Sequence, residues 1–168
     1  MNRTADVVIV GAGVIGSATA FELAKRGYKT LNIDKLPASG YGSTSNSCAI
    51  VRAHYSTWDG VAMAYEGFFY WDDWNKYLEV EDERGMAKYM KTGSIMFMLK
   101  GADHSKKSLN LFKEIGVEHE IWDLETLKKK MPIYSHDSYN GTSRPDEDDS
   151  FFDKSGDQIE GAVWTPGS

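Results

Sequence analysis

The stretch that decides the fold is DVVIVGAGVIGSATAFELAKRGYKTLNIDK, residues 6–35. It begins with a run of mostly β-branched apolar residues, 6–10, which predicts a strand buried on both faces. A helical pattern follows and stops at Gly27, and residues 30–34 then predict a second strand. A strand, a glycine-rich turn, a helix and a strand in so short a stretch predict a right-handed parallel crossover.

The turn GAGVIG, residues 11–16, has the spacing of a loop that holds a pyrophosphate. Gly11 permits the tight turn, Gly13 lets the backbone approach the phosphates, and Gly16 lets the helix pack closely on the sheet. Val14 and Ile15 complete the turn and belong to the same predicted site. The phosphates are expected at the helix N-terminus, where unpaired N–H groups and the helix dipole favour an anion.

An acidic residue, Asp34, closes the second predicted strand and is placed to accept hydrogen bonds from ribose hydroxyls. The strand, turn, helix and acid together predict an α/β fold with a Rossmann-like dinucleotide-binding βαβ unit. Asp34 and Lys35 both belong to the predicted cofactor site. Asp34 would repel the 2′-phosphate of NADP even with Lys35 beside it, whereas FAD and NAD share this type of site. An Asp here favours NAD over FAD slightly, so residues 40–52 have to decide between these two cofactors.

The loop GYGSTSNSCAIVR, residues 40–52, supplies that distinction when it is taken with GAGVIGSATAFELAKRGYKTLNID. The combination resembles the FAD-dependent amine oxidoreductases of the D-amino-acid oxidase superfamily, in particular the sarcosine oxidase and dimethylglycine dehydrogenase enzymes. The resemblance is specific over the first 55 residues and follows the order of segments beyond them, through KTGSIMF and WDLETLKKKMP. It implies that FAD is the cofactor, bound non-covalently, with Cys48 interpreted as a small packed residue.

The same resemblance assigns further site residues. Gly42, Ser43, Thr44 and Ser47 are expected to touch the flavin or its phosphates, although an ordinary flexible connection is the alternative. Arg52 is expected to hold the substrate carboxylate, since a guanidinium can bind both carboxylate oxygens, and its alternative role is a salt bridge to a nearby acid.

The implied function is oxidation of the C–N bond of an amino acid or N-methyl amino acid, with FAD accepting the hydride equivalent. Sarcosine, dimethylglycine, glycine and D-amino acids all fit one carboxylate-binding arginine. The alternatives are a fragment of an NAD-dependent dehydrogenase and a non-catalytic nucleotide-binding subunit of a multi-chain assembly.

The predicted organisation is incomplete. Residues 1–58 form the N-terminal part of an FAD-binding domain, 59–90 an aromatic helical segment, and 91–168 part of an α+β substrate domain. Enzymes of this family are longer, so we expect an N-terminal portion, with a second chain as one way of completing the FAD domain. We therefore expect weak or absent activity from residues 1–168 alone.

The composition excludes several other functions. A net charge of −6 argues against a general nucleic-acid or membrane-surface role, because both need a positive field. One cysteine, Cys48, permits neither an internal disulfide nor a clustered cysteine metal site, and no metal is expected. No apolar run reaches the length of a membrane span. With the glycine-rich run interrupting the apolar N-terminus, these features predict a cytoplasmic protein.

Overall fold

The computed structural model describes residues 4–101, 103–139, 144, 146, 147 and 149–168. Contacts divide the chain into a first unit that ends at Ile50 and a second unit from Val51 to Ser168. Each unit contains its own β-structure. The three-part division expected from the sequence, with boundaries at residues 58 and 90, stays a prediction.

The first unit is the predicted βαβ crossover. Strand β1 (Val7–Val10) leads into helix α1 (Val14–Lys25), and strand β2 (Thr30–Ile33) returns parallel to β1. The register places Val7 opposite Thr30 and Val10 opposite Ile33, so both strands end at the same edge. Because the carboxyl ends of parallel strands form the ligand-binding edge of such sheets, this register puts the glycine turn and Asp34 side by side.

The first unit buries little apolar surface. The side chains of Val8 and Val10 are 55% and 90% exposed, so the expectation that β1 is buried on both faces is wrong for the described chain. Helix α1 has no buried residue, and Ala12 is the one buried apolar residue among the described residues of this unit. The reason is geometric, since one helix can cover only one face of a two-stranded sheet.

The second unit is an α+β fold around an antiparallel sheet. Its elements in chain order are α2 (Trp58–Asp72), α3 (Trp74–Leu78), β3 (Ser94–Leu99), α4 (Asp103–Ile115), β4 (Glu120–Asp123), α5 (Leu124–Lys130), β5 (Asp137–Tyr139) and β6 (Lys154–Thr165). Strand β6 lies between β3 and β4 and also pairs with β5. The mixed α/β class expected from the sequence is therefore confirmed.

Two apolar clusters cover the two faces of this sheet, because successive strand residues point to opposite faces. On one face, Val163 of β6 packs with Phe68 of α2 and Phe112 of α4. On the other face, Ala162 packs with Leu127 of α5 and with other buried side chains. The aromatic helical segment thus contributes to a hydrophobic core through its buried positions.

Two sequence expectations differ from the structure of this unit. The aromatic pattern predicts one helix over residues 61–77, but α2 starts earlier, after the Thr57 cap, and ends at Asp72. The C-cap residue Asp73 has a ψ of 50°, which interrupts the helix before α3. Residues 135–158 are expected to form a solvated loop, but β5 and the start of β6 lie within this range. These polar segments form strands because β5 pairs with β6 in antiparallel fashion. An ion pair links the two strands, since the Asp137 carboxylate contacts Lys154 Nζ at 2.6 Å.

No helix among the described residues has the length and apolar character needed to cross a membrane.

Candidate cofactor site

The turn after β1 depends on two glycines. Gly11 has a φ of +115°, which side chains rarely allow, and its N–H donates to the Ile33 carbonyl at 2.7 Å. A Cβ at Gly16 would lie 2.2 Å from the Gly11 carbonyl oxygen, which is far inside van der Waals contact. The absence of a side chain at Gly16 therefore lets the first turn of α1 lie against the end of β1, as the sequence predicts.

The N-terminus of α1 is linked to the second loop. Gly13 is the N-cap residue, has no capping side chain of its own, and no acidic residue follows in the first turn. Thr44 supplies the missing cap, since its Oγ1 accepts a hydrogen bond from the Val14 N–H at 2.9 Å. A Cβ at Gly13 would approach the same Oγ1 to 3.0 Å, so a glycine at 13 leaves room for this bond.

Asp34 is held as an ionised acceptor at the end of β2. Its Oδ1 accepts from the Leu36 N–H at 2.9 Å and its Oδ2 from the Ala12 N–H at 2.7 Å. These two backbone donors, Leu36 first, hold the pKa of the Asp34 carboxyl below its usual range. Each carboxylate oxygen keeps a further lone pair, so Asp34 fixes the turn and can still accept from a ribose hydroxyl.

The second loop folds back onto the first. Gly40 N–H donates to the Ala12 carbonyl at 2.9 Å, which joins this loop to the glycine turn. The Gly42 carbonyl accepts from Asn46 Nδ2 at 2.9 Å, and Ser47 Oγ accepts from the Ala49 N–H at 3.1 Å. These hydrogen bonds link residues within the loop and join it to the glycine turn, and the predicted cofactor contacts of the loop stay a prediction.

The remaining predicted residues of this unit are open to solvent. Val14, Ile15, Lys35 and Ser43 are exposed. Cys48 is exposed as well, so its interpretation as a packed residue is wrong. Its loop crosses the surface of the unit without a core beneath it, which leaves a small apolar side chain uncovered.

The structure adds Asn32, which the sequence reasoning missed. This side chain lies on β2, and its Nδ2 donates to the Gly11 and Gly16 carbonyls, at 3.1 Å each. Asn32 therefore ties the strand, the turn and the helix together at one point. The available signal was an amide in the middle of an otherwise apolar predicted strand, where it costs free energy unless it is hydrogen-bonded.

Arg52 belongs to the second unit, whereas the other predicted site residues belong to the first. It is exposed, and its guanidinium carbon lies 6.0 Å from the centroid of the Tyr55 ring. No described carboxylate of its own unit lies within salt-bridge distance of Arg52. The alternative reading of Arg52 as a salt-bridge residue is thus without support among those residues.

His54 is the titratable group next to Arg52. Burial, followed by the positive charges of Arg52 and His104, lowers the pKa of His54 to about 4. The imidazole is therefore neutral at physiological pH, and its Nε2 lies 3.1 Å from Thr165 Oγ1.

The donor set of the first unit fits the adenosine diphosphate part of a dinucleotide. The space beside Gly11 is open, the first N–H groups of α1 have no intrahelical acceptor, and the first turn carries no negative charge. Asp34 adds an ionised acceptor at the neighbouring strand end. This fold and this site define a dinucleotide-binding protein of the Rossmann-like class.

Comparison with known proteins narrows that class. The family described as "FAD dependent oxidoreductase" (DAO) matches residues 6–166. The chain is 29% identical over 149 residues to a monomeric sarcosine oxidase of Bacillus sp. (strain B-0618), covering 86% of this chain and 37% of that protein.

Two solved structures share the fold. The L-proline dehydrogenase of P. horikoshii aligns over 99% of this chain and 38% of its own, with a TM-score of 0.71 and 20% identity. The glycine oxidase of Geobacillus kaustophilus aligns over 97% of this chain and 39% of its own, with a TM-score of 0.62 and 20% identity.

The chain belongs to the family of FAD-dependent oxidoreductases, and the predicted cofactor, FAD, is confirmed at the level of that family. It spans a little over a third of the length of the curated relatives it matches. The predicted likeness to the N-terminal part of sarcosine oxidase-like proteins is confirmed as well.

Proposed function

We propose that this chain is the N-terminal part of a flavoprotein that oxidises the C–N bond of an amino acid or N-methyl amino acid. The observation that carries the proposal is the match of residues 6–166 to the FAD-dependent oxidoreductase family. The likeness to a protein named as a sarcosine oxidase supports an amine bearing a carboxylate as the substrate class. FAD, when bound, supplies the two-electron acceptor for this oxidation.

In this proposal the first unit holds the adenosine diphosphate part of FAD. The N–H groups at the start of α1, with Gly11, Gly13, Val14, Ile15 and Gly16, face the pyrophosphate. Asp34 accepts from the ribose, with Lys35 beside it. The second loop contributes Gly42, Ser43, Thr44 and Ser47. The hydrogen bond from Val14 N–H to Thr44 Oγ1 supports the role of Thr44, because the hydroxyl proton is then free to be donated to an anion.

Arg52 binds the substrate carboxylate in the same proposal. Its exposure and its lack of a described acidic partner in its own unit support this role. A guanidinium that binds both carboxylate oxygens would fix the orientation of the C–N bond that is oxidised. Such orientation of the substrate is a large part of what a protein contributes to the rate of a reaction.

The test uses the native polypeptide that contains residues 1–168, purified with FAD. Anaerobic addition of sarcosine, dimethylglycine, glycine or D-alanine is expected to bleach the oxidised flavin absorbance with at least one of these amines. Bleaching by NADH and by none of the amines would contradict the proposal.

The family match favours FAD over the NAD-dependent alternative. No observation favours the non-catalytic subunit. A second chain that completes the FAD domain and a cytoplasmic location stay expectations from the sequence.

A further inference from the structure

The segment that carries Arg52 forms a tight turn with a buried anchor. Ala53 is fully buried within the cluster that contains Val61 and Phe112. The Tyr55 N–H donates to the Ala53 carbonyl at 2.8 Å, which closes a turn centred on His54. Arg52 immediately precedes this turn and Tyr55 ends it, so a shift of the turn would move both side chains.

A hydroxyl on α4 holds one end of this turn. Ser108 is fully buried, and its Oγ donates to the Tyr55 carbonyl at 3.0 Å. A serine inside a helix usually bonds to a carbonyl of its own helix or points to solvent, whereas Ser108 bonds outward to the turn. Without this donor, the Tyr55 carbonyl would lose a partner in a partly buried position.

A second buried hydroxyl holds the middle of the turn to the sheet. Thr165 of β6 is fully buried, and its Oγ1 lies 3.1 Å from His54 Nε2 and 2.9 Å from Ser168 Oγ. His54 Nδ1 is buried and has no hydrogen-bond partner within the described part of the chain. The favoured neutral tautomer carries its proton on Nε2, since an unpaired acceptor is tolerated better than an unpaired N–H. His54 then donates to Thr165.

The exposed side of the turn presents the cation. The Arg52 guanidinium lies 6.0 Å from the Tyr55 ring centroid, a distance at which the ring face attracts and orients it. The ring position depends in turn on the backbone of Tyr55, which Ser108 holds.

We propose that Ser108 and Thr165 are positioning residues for Arg52. Each fixes the Ala53–Tyr55 turn from the buried side by one hydrogen bond, one to α4 and one to β6, and together they aim the guanidinium at a substrate carboxylate. The inference rests on the proposed function of Arg52 and adds the residues on which its placement depends.

The experiment measures binding of propionate and of propionamide to the FAD-loaded native polypeptide that contains residues 1–168, through the change in flavin absorbance. The two probes have the same shape, but only propionate carries the charge that Arg52 recognises. A residue that merely stabilises the fold would change both affinities, whereas a positioning residue changes the preference for propionate.

Four variants give the comparison. Ser108→Ala and Thr165→Val each remove the hydroxyl that bonds to the turn. Each is expected to weaken propionate binding about fivefold, the effect of losing one hydrogen bond to the turn, and to leave propionamide binding unchanged. Thr165→Ser keeps the hydroxyl and is expected to restore the propionate preference. Ser105→Ala removes another buried hydroxyl from α4 and is expected to bind both probes like the unaltered protein.

Arg52→Ala separates the two ways in which the inference can fail. If this variant keeps the preference for propionate, Arg52 is not the carboxylate anchor, and the inference fails together with that part of the proposed function. If Arg52→Ala loses the preference but Thr165→Val keeps it or weakens both probes equally, only the positioning inference is overturned. Because Thr165→Val nearly preserves the shape of the side chain, it decides the question even where Ser108→Ala does not fold.

Discussion

At the scale of single residues, Gly16 shows how the absence of a side chain can determine a site. The Gly11 carbonyl occupies the place where a Cβ would be. That carbonyl also accepts the Asn32 amide, so it cannot turn away without breaking a second contact. Position 16 therefore does not accommodate a larger residue, because the Gly11 backbone cannot move aside as the end of a flexible side chain could.

Gly16→Ala is expected to destabilise the first unit by about 1–3 kcal/mol, the usual cost of forcing an extra methyl group into a packed position. Because the shift moves the N-terminus of α1, FAD affinity is expected to fall as well. Titration of the apoprotein with FAD, followed by flavin fluorescence, measures this effect.

The matched control is Gly67→Ala in α2, where nothing lies within 4 Å of the added methyl group. This variant is expected to be more stable by about 0.5–1 kcal/mol, because alanine loses less conformational entropy than glycine when the helix folds. It is expected to bind FAD normally. Equal behaviour of the two variants would contradict the packing argument.

His54 predicts a pH dependence of stability. Its pKa is lowered from 6.5 to about 4 in the folded protein, so between these values the unfolded state binds more protons. The free energy of unfolding therefore falls as the pH drops from about 6.5 to about 4, and the contribution is fully present above this window.

The pH dependence of stability is compared between the unaltered protein and the His54→Gln variant. This variant keeps a hydrogen-bonding side chain that does not titrate. We expect its melting temperature to change less than that of the unaltered protein between pH 6.5 and pH 4. Identical slopes in this window would show that His54 is not held neutral by burial.

At the scale of elements, β2 does more than pair with β1. Its Asn32 amide bonds to the carbonyls of two turn residues, and Asp34 at its end bonds to the Ala12 N–H. The strand thereby fixes both the turn that precedes α1 and the first turn of the helix.

Asn32→Leu keeps the size of the side chain but removes both hydrogen bonds, and it is expected to cost about 1–3 kcal/mol because two carbonyls lose a donor. Asn32→Asp is expected to cost more, since a carboxylate would face the two carbonyl oxygens. Chemical denaturation with intrinsic fluorescence ranks the three proteins. The order is wrong if Asn32→Asp is the more stable of the two variants.

The elements that the sequence predicts well are those built from neighbouring residues. The β1–α1–β2 unit has its strand pattern, its glycines and its helix within one short stretch, so local rules suffice. The pairing of β5 with β6 was missed because both segments are polar, so no apolar periodicity marks either of them as a strand. Asn32 and the Thr44 cap were missed for a related reason, since each depends on which backbone group a side chain meets in three dimensions.

At the scale of the whole molecule, the two units differ in how they are stabilised. The second unit has two apolar clusters, one on each face of its sheet. The first unit has Ala12 as its one buried apolar residue among those described. Its order depends on hydrogen bonds between its loops, which contribute only about 1 kcal/mol each.

Residues 51–168 expressed alone are therefore expected to fold cooperatively, because their core is self-contained. Residues 1–50 alone are expected to remain largely unfolded, because a chain of this size needs more buried surface than this unit has. Far-ultraviolet circular dichroism and thermal melts of the two fragments test this difference. A sharp melting transition of residues 1–50 would contradict it.

The sparse interior of the first unit has a consequence for the resistance of residues 1–168 to proteases. A ligand that binds only the folded state stabilises it by mass action, and a protease cleaves the open population that remains. We expect limited proteolysis of residues 1–168 to begin in the first unit without FAD and to slow as FAD is added.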